Sequence, residues 1–96
     1  PALFPVIVSA DDVTRGKPDP QVFTLCCQGL ALPPSRCIVI EDAPVGIQAA
    51  RAAGSRSVAV LLYHPREAFP HAELIVDRLA DLTVARLTAL LDGRDD

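Results

Sequence analysis

The sequence has no methionine, no run of basic residues, no long apolar stretch and no metal-ligand spacing among its cysteines. Each absence narrows what a chain of 96 residues can be. The nine lysines and arginines are dispersed and the net charge is −3, so there is no electrostatic footprint for nucleic acid or for an anionic membrane. No apolar run approaches the roughly 20 residues that span a bilayer. No signal-peptide pattern is present. Cys26, Cys27 and Cys37 are an odd count without zinc spacing, and they read as buried, reduced thiols of a cytoplasmic protein. Without a methionine, a chain starting at Pro1 has two readings: an initiator trimmed ahead of proline, or part of a longer protein.

What is present is the material of one small domain. Half of the residues are hydrophobic, which excludes a disordered chain. "PVIVSA" is a β-branched run and predicts a buried strand over 6–9. Asp19 is a good N-cap, with Pro20 in the first turn of the helix it starts. Val22, Phe23, Cys26, Cys27 and Leu30 then recur at helical spacing and predict one apolar face. "RCIVIED" predicts a second strand over 37–40 that ends in two carboxylates. Pro44 opens a further helix, with Val45, Ala49, Ala52 and Ala53 as a face of small side chains and Gly54 at its stop. "SRSVAVLLY" predicts a third strand, centred on 58–62, and "LIVD" a short fourth over 74–76. Thr83 caps a last helix with Val84, Leu87, Leu90 and Leu91 inward. The order is βαβαβ, then a short strand and a helix. The strands are continuous apolar runs, which predicts an α/β fold with a parallel, Rossmann-like sheet.

The stretch "TRGKPDPQVF" restrains a lysine. Gly16 permits a tight backbone and Pro18 biases Lys17 away from helix. In open parallel sheets, ligands bind beyond the carboxyl ends of the strands. The first strand runs into the Lys17 loop, and the second ends at Glu41 and Asp42. That logic places Lys17, Glu41 and Asp42 on one rim. Carboxylates are hard oxygen ligands suited to Mg²⁺, and a lysine neutralises a phosphate as a point charge. His64 and His71 fall in a proline-broken loop and are expected to face solvent.

"ADDVTRGKPDPQVF" followed by "CIVIEDAPVGIQAARAAG" resembles the haloacid dehalogenase-like superfamily, within it the β-phosphoglucomutase-like phosphatases and mutases. The second motif is the more specific of the two. The resemblance implies a Mg²⁺-dependent phosphatase or phosphomutase acting on small phosphorylated metabolites. It implies that Lys17 contacts the transferred phosphoryl group as the catalytic and phosphate-binding cation. Glu41 and Asp42 match the acid pair that helps to hold Mg²⁺. Gly46, Ala49, Ala50 and Gly54 match positions where the following helix packs closely.

One element of that family is missing. Its nucleophile motif is Asp-x-Asp, and no two aspartates of this chain stand two positions apart. The resemblance therefore implies the C-terminal half of a catalytic core over 1–96, without the nucleophile strand or the cap that confers specificity. Asp11 and Asp12, as a relocated nucleophile, and Ser9, as a phosphate ligand, are the alternatives within the chain. The family's sheet order, 5-4-1-2-3, implies that the first strand here lies beyond a two-strand gap. Three outcomes then stand: another chain, an N-terminal half or a second copy, fills the gap; the strands re-pair as a smaller sheet; or the piece is poorly stable. The reading from a different class is a noncatalytic module that binds a partner through its exposed sheet edge.

Overall fold

The computed structural model describes residues 6–9 and 19–93. Four short parallel strands form one sheet in chain order: β1 (Val6–Ser9), β2 (Ile38–Glu41), β3 (Arg56–Val60) and β4 (Leu74–Val76). Helix α1 (Gln21–Gly29) connects β1 to β2, α2 (Pro44–Ala53) connects β2 to β3, and α3 (Val84–Gly93) follows β4. The fold class is the expected one. Every residue of β2 and β3 is buried, as a parallel sheet covered on both faces requires.

The alternation of strand side chains assigns the two faces. Ile38, Ile40, Val58, Val60 and Val76 pack with Leu91 of α3, flanked by Leu74, Leu82, Leu87 and Leu90. Val39, one residue out of phase, faces the other way and packs with Phe23 of α1 and Ala49 and Ala50 of α2. Ile47, Ala59 and Phe69 continue that second layer, with Leu61, Ala68, Ala72 and Ile75 around them.

The strand order settles one open point. β1 pairs directly with β2 in parallel register, from Val6 with Ile38 to Ser9 with Glu41. The described strands thus form a smaller, continuous sheet, with no gap between first and second. The physical reason is the open edge of β2, whose buried backbone groups need partners.

Helix faces differ from the expected ones in detail. On α1 only Phe23 and Cys27 are buried, four residues apart. Val22, Cys26 and Leu30 lie outside. Adjacent residues on a helix project about 100° apart, so of each neighbouring pair only one meets the sheet. On α2 the buried side is Gly46, Ile47, Ala49 and Ala50, while Ala52 is exposed. Val84, expected inward on α3, is 74% exposed, because the inward stripe begins a turn later at Leu87.

The helix ends follow local chemistry. Asp19 Oδ1 accepts the Gln21 N–H at 2.8 Å, ahead of the first turn of α1. Thr83 Oγ1 accepts the Arg86 N–H at 3.1 Å, as its capping role predicts. Gly54, at φ 87°, ends α2 in the left-handed region that glycine adopts freely. α1 ends in the same way on a residue that does not. The Leu32 N–H reaches the Cys27 carbonyl at 3.1 Å and the Ala31 N–H reaches the Gln28 carbonyl at 3.0 Å, with Ala31 at φ 58°. This is a Schellman ending with alanine in the left-handed position. Ala31→Gly is expected to stabilise the chain by about 1 kcal/mol, because it removes the steric strain of a Cβ there. Urea unfolding measures it; an unchanged or lower midpoint contradicts the strain.

α3 is tied to the sheet by a buried arginine. Arg56 Nη2 donates to the Leu91 carbonyl at 3.0 Å. Its Nη1 is 3.9 Å from the Glu73 carboxylate, too long to offset desolvation, and burial pushes the Glu73 carboxyl up from its ordinary value.

Candidate active site

β2 ends at Glu41, and Asp42 and Ala43 link it to Pro44, the first residue of α2. Strand parity decides where Glu41 goes. It is in phase with Val39 and so lies on the α2 face. Its side chain is 1% exposed. Oε1 accepts the Asp42 N–H at 3.2 Å and the Ala43 N–H at 3.3 Å. The carboxylate therefore sits at the start of α2, where the helix dipole favours negative charge. Ala43 occupies the N-cap position and offers no side-chain cap, so Glu41 supplies from the preceding strand the anion that a capping residue would give. Asp42, also buried, is the next residue along the rim.

The rim is thus built in part from described residues. Glu41 and Asp42 are brought together at the carboxyl end of the second strand, as expected, with Ser9 the Cα partner of Glu41 on β1. Lys17, Asp11 and Asp12 lie outside the described residues. Among the described residues no group of three or more His, Cys, Asp and Glu side chains converges as a metal cage. The hard-oxygen pair fits Mg²⁺ by its chemistry, as a partial ligand set rather than a complete one.

The histidines and two of the cysteines fall as expected. His64 and His71 are exposed. Cys27 and Cys37 are buried with their sulfurs 3.1 Å apart, and Cys26 is exposed, against the expectation for all three. Burial, and then the neighbouring Cys27 thiol, push the Cys37 thiol up to about 12, so it stays protonated and unreactive at neutral pH. The described residues carry no helix long and apolar enough to cross a membrane.

The sequence pattern of haloacid dehalogenase-like hydrolases matches residues 1–60. This chain belongs to that family. It is 45% identical over 84 residues to a validoxylamine A 7'-phosphate phosphatase of Streptomyces hygroscopicus subsp. limoneus, a match covering 88% of this chain and 38% of that protein. It is 51% identical over 59 residues to the fructose-1-phosphate phosphatase YqaB of Escherichia coli (strain K12), covering 62% of this chain and 31% of that protein. The crystal structure of a β-phosphoglucomutase from Clostridium difficile superposes with a TM-score of 0.75 and 32% identity, over 84% of this chain and 35% of that one. The chain thus spans about a third of the length of these relatives, which act as phosphatases or a phosphomutase on small phosphorylated compounds.

The sequence placed Gly46 among the close-packing positions of this haloacid dehalogenase-like chain but did not say what it packs against, and it missed Phe69 altogether. Gly46, the third residue of α2, lies directly against the Glu41 side chain. Parity was a partial signal: Glu41 shares the phase of Val39, which directs it to the α2 side, but which residue of α2 it meets depends on how the helix approaches the sheet. Phe69 is the buried anchor of the loop that carries the exposed histidines. It stands between Ala68 and Pro70 in a proline-broken loop with no other large apolar residue near it, so no periodicity marked it.

Proposed function

We propose that this chain supplies the acid pair and the phosphate-binding lysine of a Mg²⁺-dependent phosphatase or phosphomutase that acts on small phosphorylated metabolites in the cytoplasm. The observation that carries this reading is the pair Glu41–Asp42, buried side by side at the carboxyl end of β2 in a chain of this family. Glu41 and Asp42 would hold the metal, and Lys17 would face the phosphoryl oxygens. Mg²⁺, when bound, screens the phosphoryl charge and polarises its oxygens. Glu41 is fixed by two backbone N–H groups, so its orientation is set before any ligand arrives. Lys17 adds a cation that lets an anionic nucleophile approach an anionic phosphoryl group.

The chain by itself is proposed to be inactive, because an Asp-x-Asp nucleophile is absent from its sequence. Purified chain with Mg²⁺ is expected to show no turnover of p-nitrophenyl phosphate or of sugar phosphates above a protein-free blank. Turnover that Asp11→Asn or Asp12→Asn abolishes would establish a relocated nucleophile and overturn the proposal.

One observation favours the noncatalytic reading. β1 closes the edge of β2 without help, and the outer face of α1 leaves Val22, Leu25 and Leu30 exposed, Leu25 at 55%. A partner-binding module would keep that arrangement on binding. An enzyme half would exchange the β1–β2 pairing for new strands, which size exclusion and activity measurements on a mixture separate.

A further inference from the structure

Gly46 raises a question that backbone geometry does not answer. Among the described residues the glycine with positive φ is Gly54, so Gly46 has an ordinary helical backbone that any residue could adopt. Helix propensity favours replacing it, since glycine is the poorer helix former by about 1 kcal/mol relative to alanine. The reason for glycine lies in what stands beside it. A Cβ built on Gly46 would overlap Cγ, Cδ and Oε2 of Glu41. This is no contact with the far end of a mobile surface chain. Glu41 is among the largest fully buried side chains, and Oε1 of its carboxylate is already engaged by the Asp42 and Ala43 N–H groups.

We propose that Gly46 is a positioning residue: its missing side chain is the slot that the Glu41 carboxylate fills. Three constraints close that slot. Strand parity sends Glu41 toward α2. The N–H groups of Asp42 and Ala43 hold Oε1. The bare Cα of Gly46 gives the rest of the side chain room. A methyl group at 46 removes the third constraint and drives the carboxylate off its hydrogen bonds. The slot is thus matched to the length of glutamate, and a shorter side chain at 41 relieves the overlap. That Glu41 then serves a metal rests on the function proposed above. The slot itself does not.

The test is a thermal-unfolding cycle on the 96-residue chain with Gly46→Ala, Glu41→Ala, Glu41→Asp and the double variants. Gly46→Ala alone is expected to lower the midpoint by at least about 8 °C. In the Glu41→Ala background the same change is expected to have no effect or to raise the midpoint, because only helix propensity is left. Glu41→Asp is expected to recover part of the loss. If Gly46→Ala fails to fold while the Glu41→Ala double variant folds, the same conclusion holds. Equal destabilisation in both backgrounds, no effect in either, or failure of both variants to fold overturns it. The cycle is repeated with Mg²⁺, whose binding to the folded state raises the midpoint. The Mg²⁺ shift is expected in the parent chain and is expected to be reduced by Gly46→Ala. A parent chain with no Mg²⁺ shift counts against the metal role of the acid pair, while the sign change between backgrounds still decides the role of Gly46.

Discussion

Mixing this chain with a separately produced N-terminal half of a haloacid dehalogenase-like hydrolase is expected to generate Mg²⁺-dependent phosphatase activity that neither half shows alone. The added half must carry the Asp-x-Asp strand and the Ser/Thr strand. By the family's strand order, these enter between β1 and β2. In the isolated chain that place is taken: β1 is paired with β2 over four residues, from Val6 with Ile38 to Ser9 with Glu41. Complex formation must open this short ladder. The exchange is expected to be favourable because the entering strands bury apolar surface and pair backbone groups along both of their edges. Complementation is therefore expected to be slow to start and stable once formed. It places the incoming nucleophile beside Asp42. Lys17→Ala and Asp42→Ala are each expected to lower the rescued rate at least about 100-fold, the scale seen when one preorganised charge-stabilising group is removed. Arg94→Ala, remote from the rim in sequence, is the control expected to leave it unchanged. Activity assays on the mixture, with size exclusion to follow the complex, read the result. A stable complex whose activity ignores Lys17 and Asp42 would falsify the site assignment. Absence of a complex, with the chain well folded alone, would favour the noncatalytic module.

Phe69→Ala is expected to be among the most damaging single changes to folding outside the sheet. Phe69 is 1% exposed and packs with Ile47 of α2 and Ala59 of β3, although it belongs to no regular element. It follows the short turn Arg66–Ala68 and donates its N–H to the Arg66 carbonyl at 3.0 Å. His64 meets its ring edge-on, with centroids 6.2 Å apart. Phe69 is thereby the fully buried anchor of the loop between β3 and β4, with the partly buried Leu61, Ala68 and Ala72 of the same loop around it. Truncating a buried phenylalanine costs about 3–5 kcal/mol. Small domains are stable by only about 5–15 kcal/mol. The variant is therefore expected to lose much of its stability, with a sharply lower urea midpoint. Tyr63→Ala in the same loop removes a side chain that is 73% exposed and is expected to change stability by less than about 0.5 kcal/mol. Equal effects of the two changes would show that Phe69 is no anchor.

The sequence by itself determined the order of elements and the class of fold. Continuous apolar strands have one stable environment, a sheet covered on both faces, and Pro44 and Gly54 delimit α2 through fixed backbone preferences that need no tertiary partner. The acid pair was legible for the same reason, since two carboxylates at the end of a buried strand must emerge at one rim. Local signals were weaker on helix faces: Val22, Cys26, Leu30 and Val84 are apolar yet outside, because the apolar pattern of a short helix does not fix its rotation against the sheet. Tertiary structure alone decided three things. It paired β1 with β2, because an open strand edge takes the nearest available partner whatever its place in a longer chain. It buried Phe69, because a loop side chain gains its environment from elements distant in sequence. And it set Glu41 against Gly46, because strand parity and helix approach meet only when both elements are in place, where the absence of one methyl group leaves the space that a buried carboxylate needs.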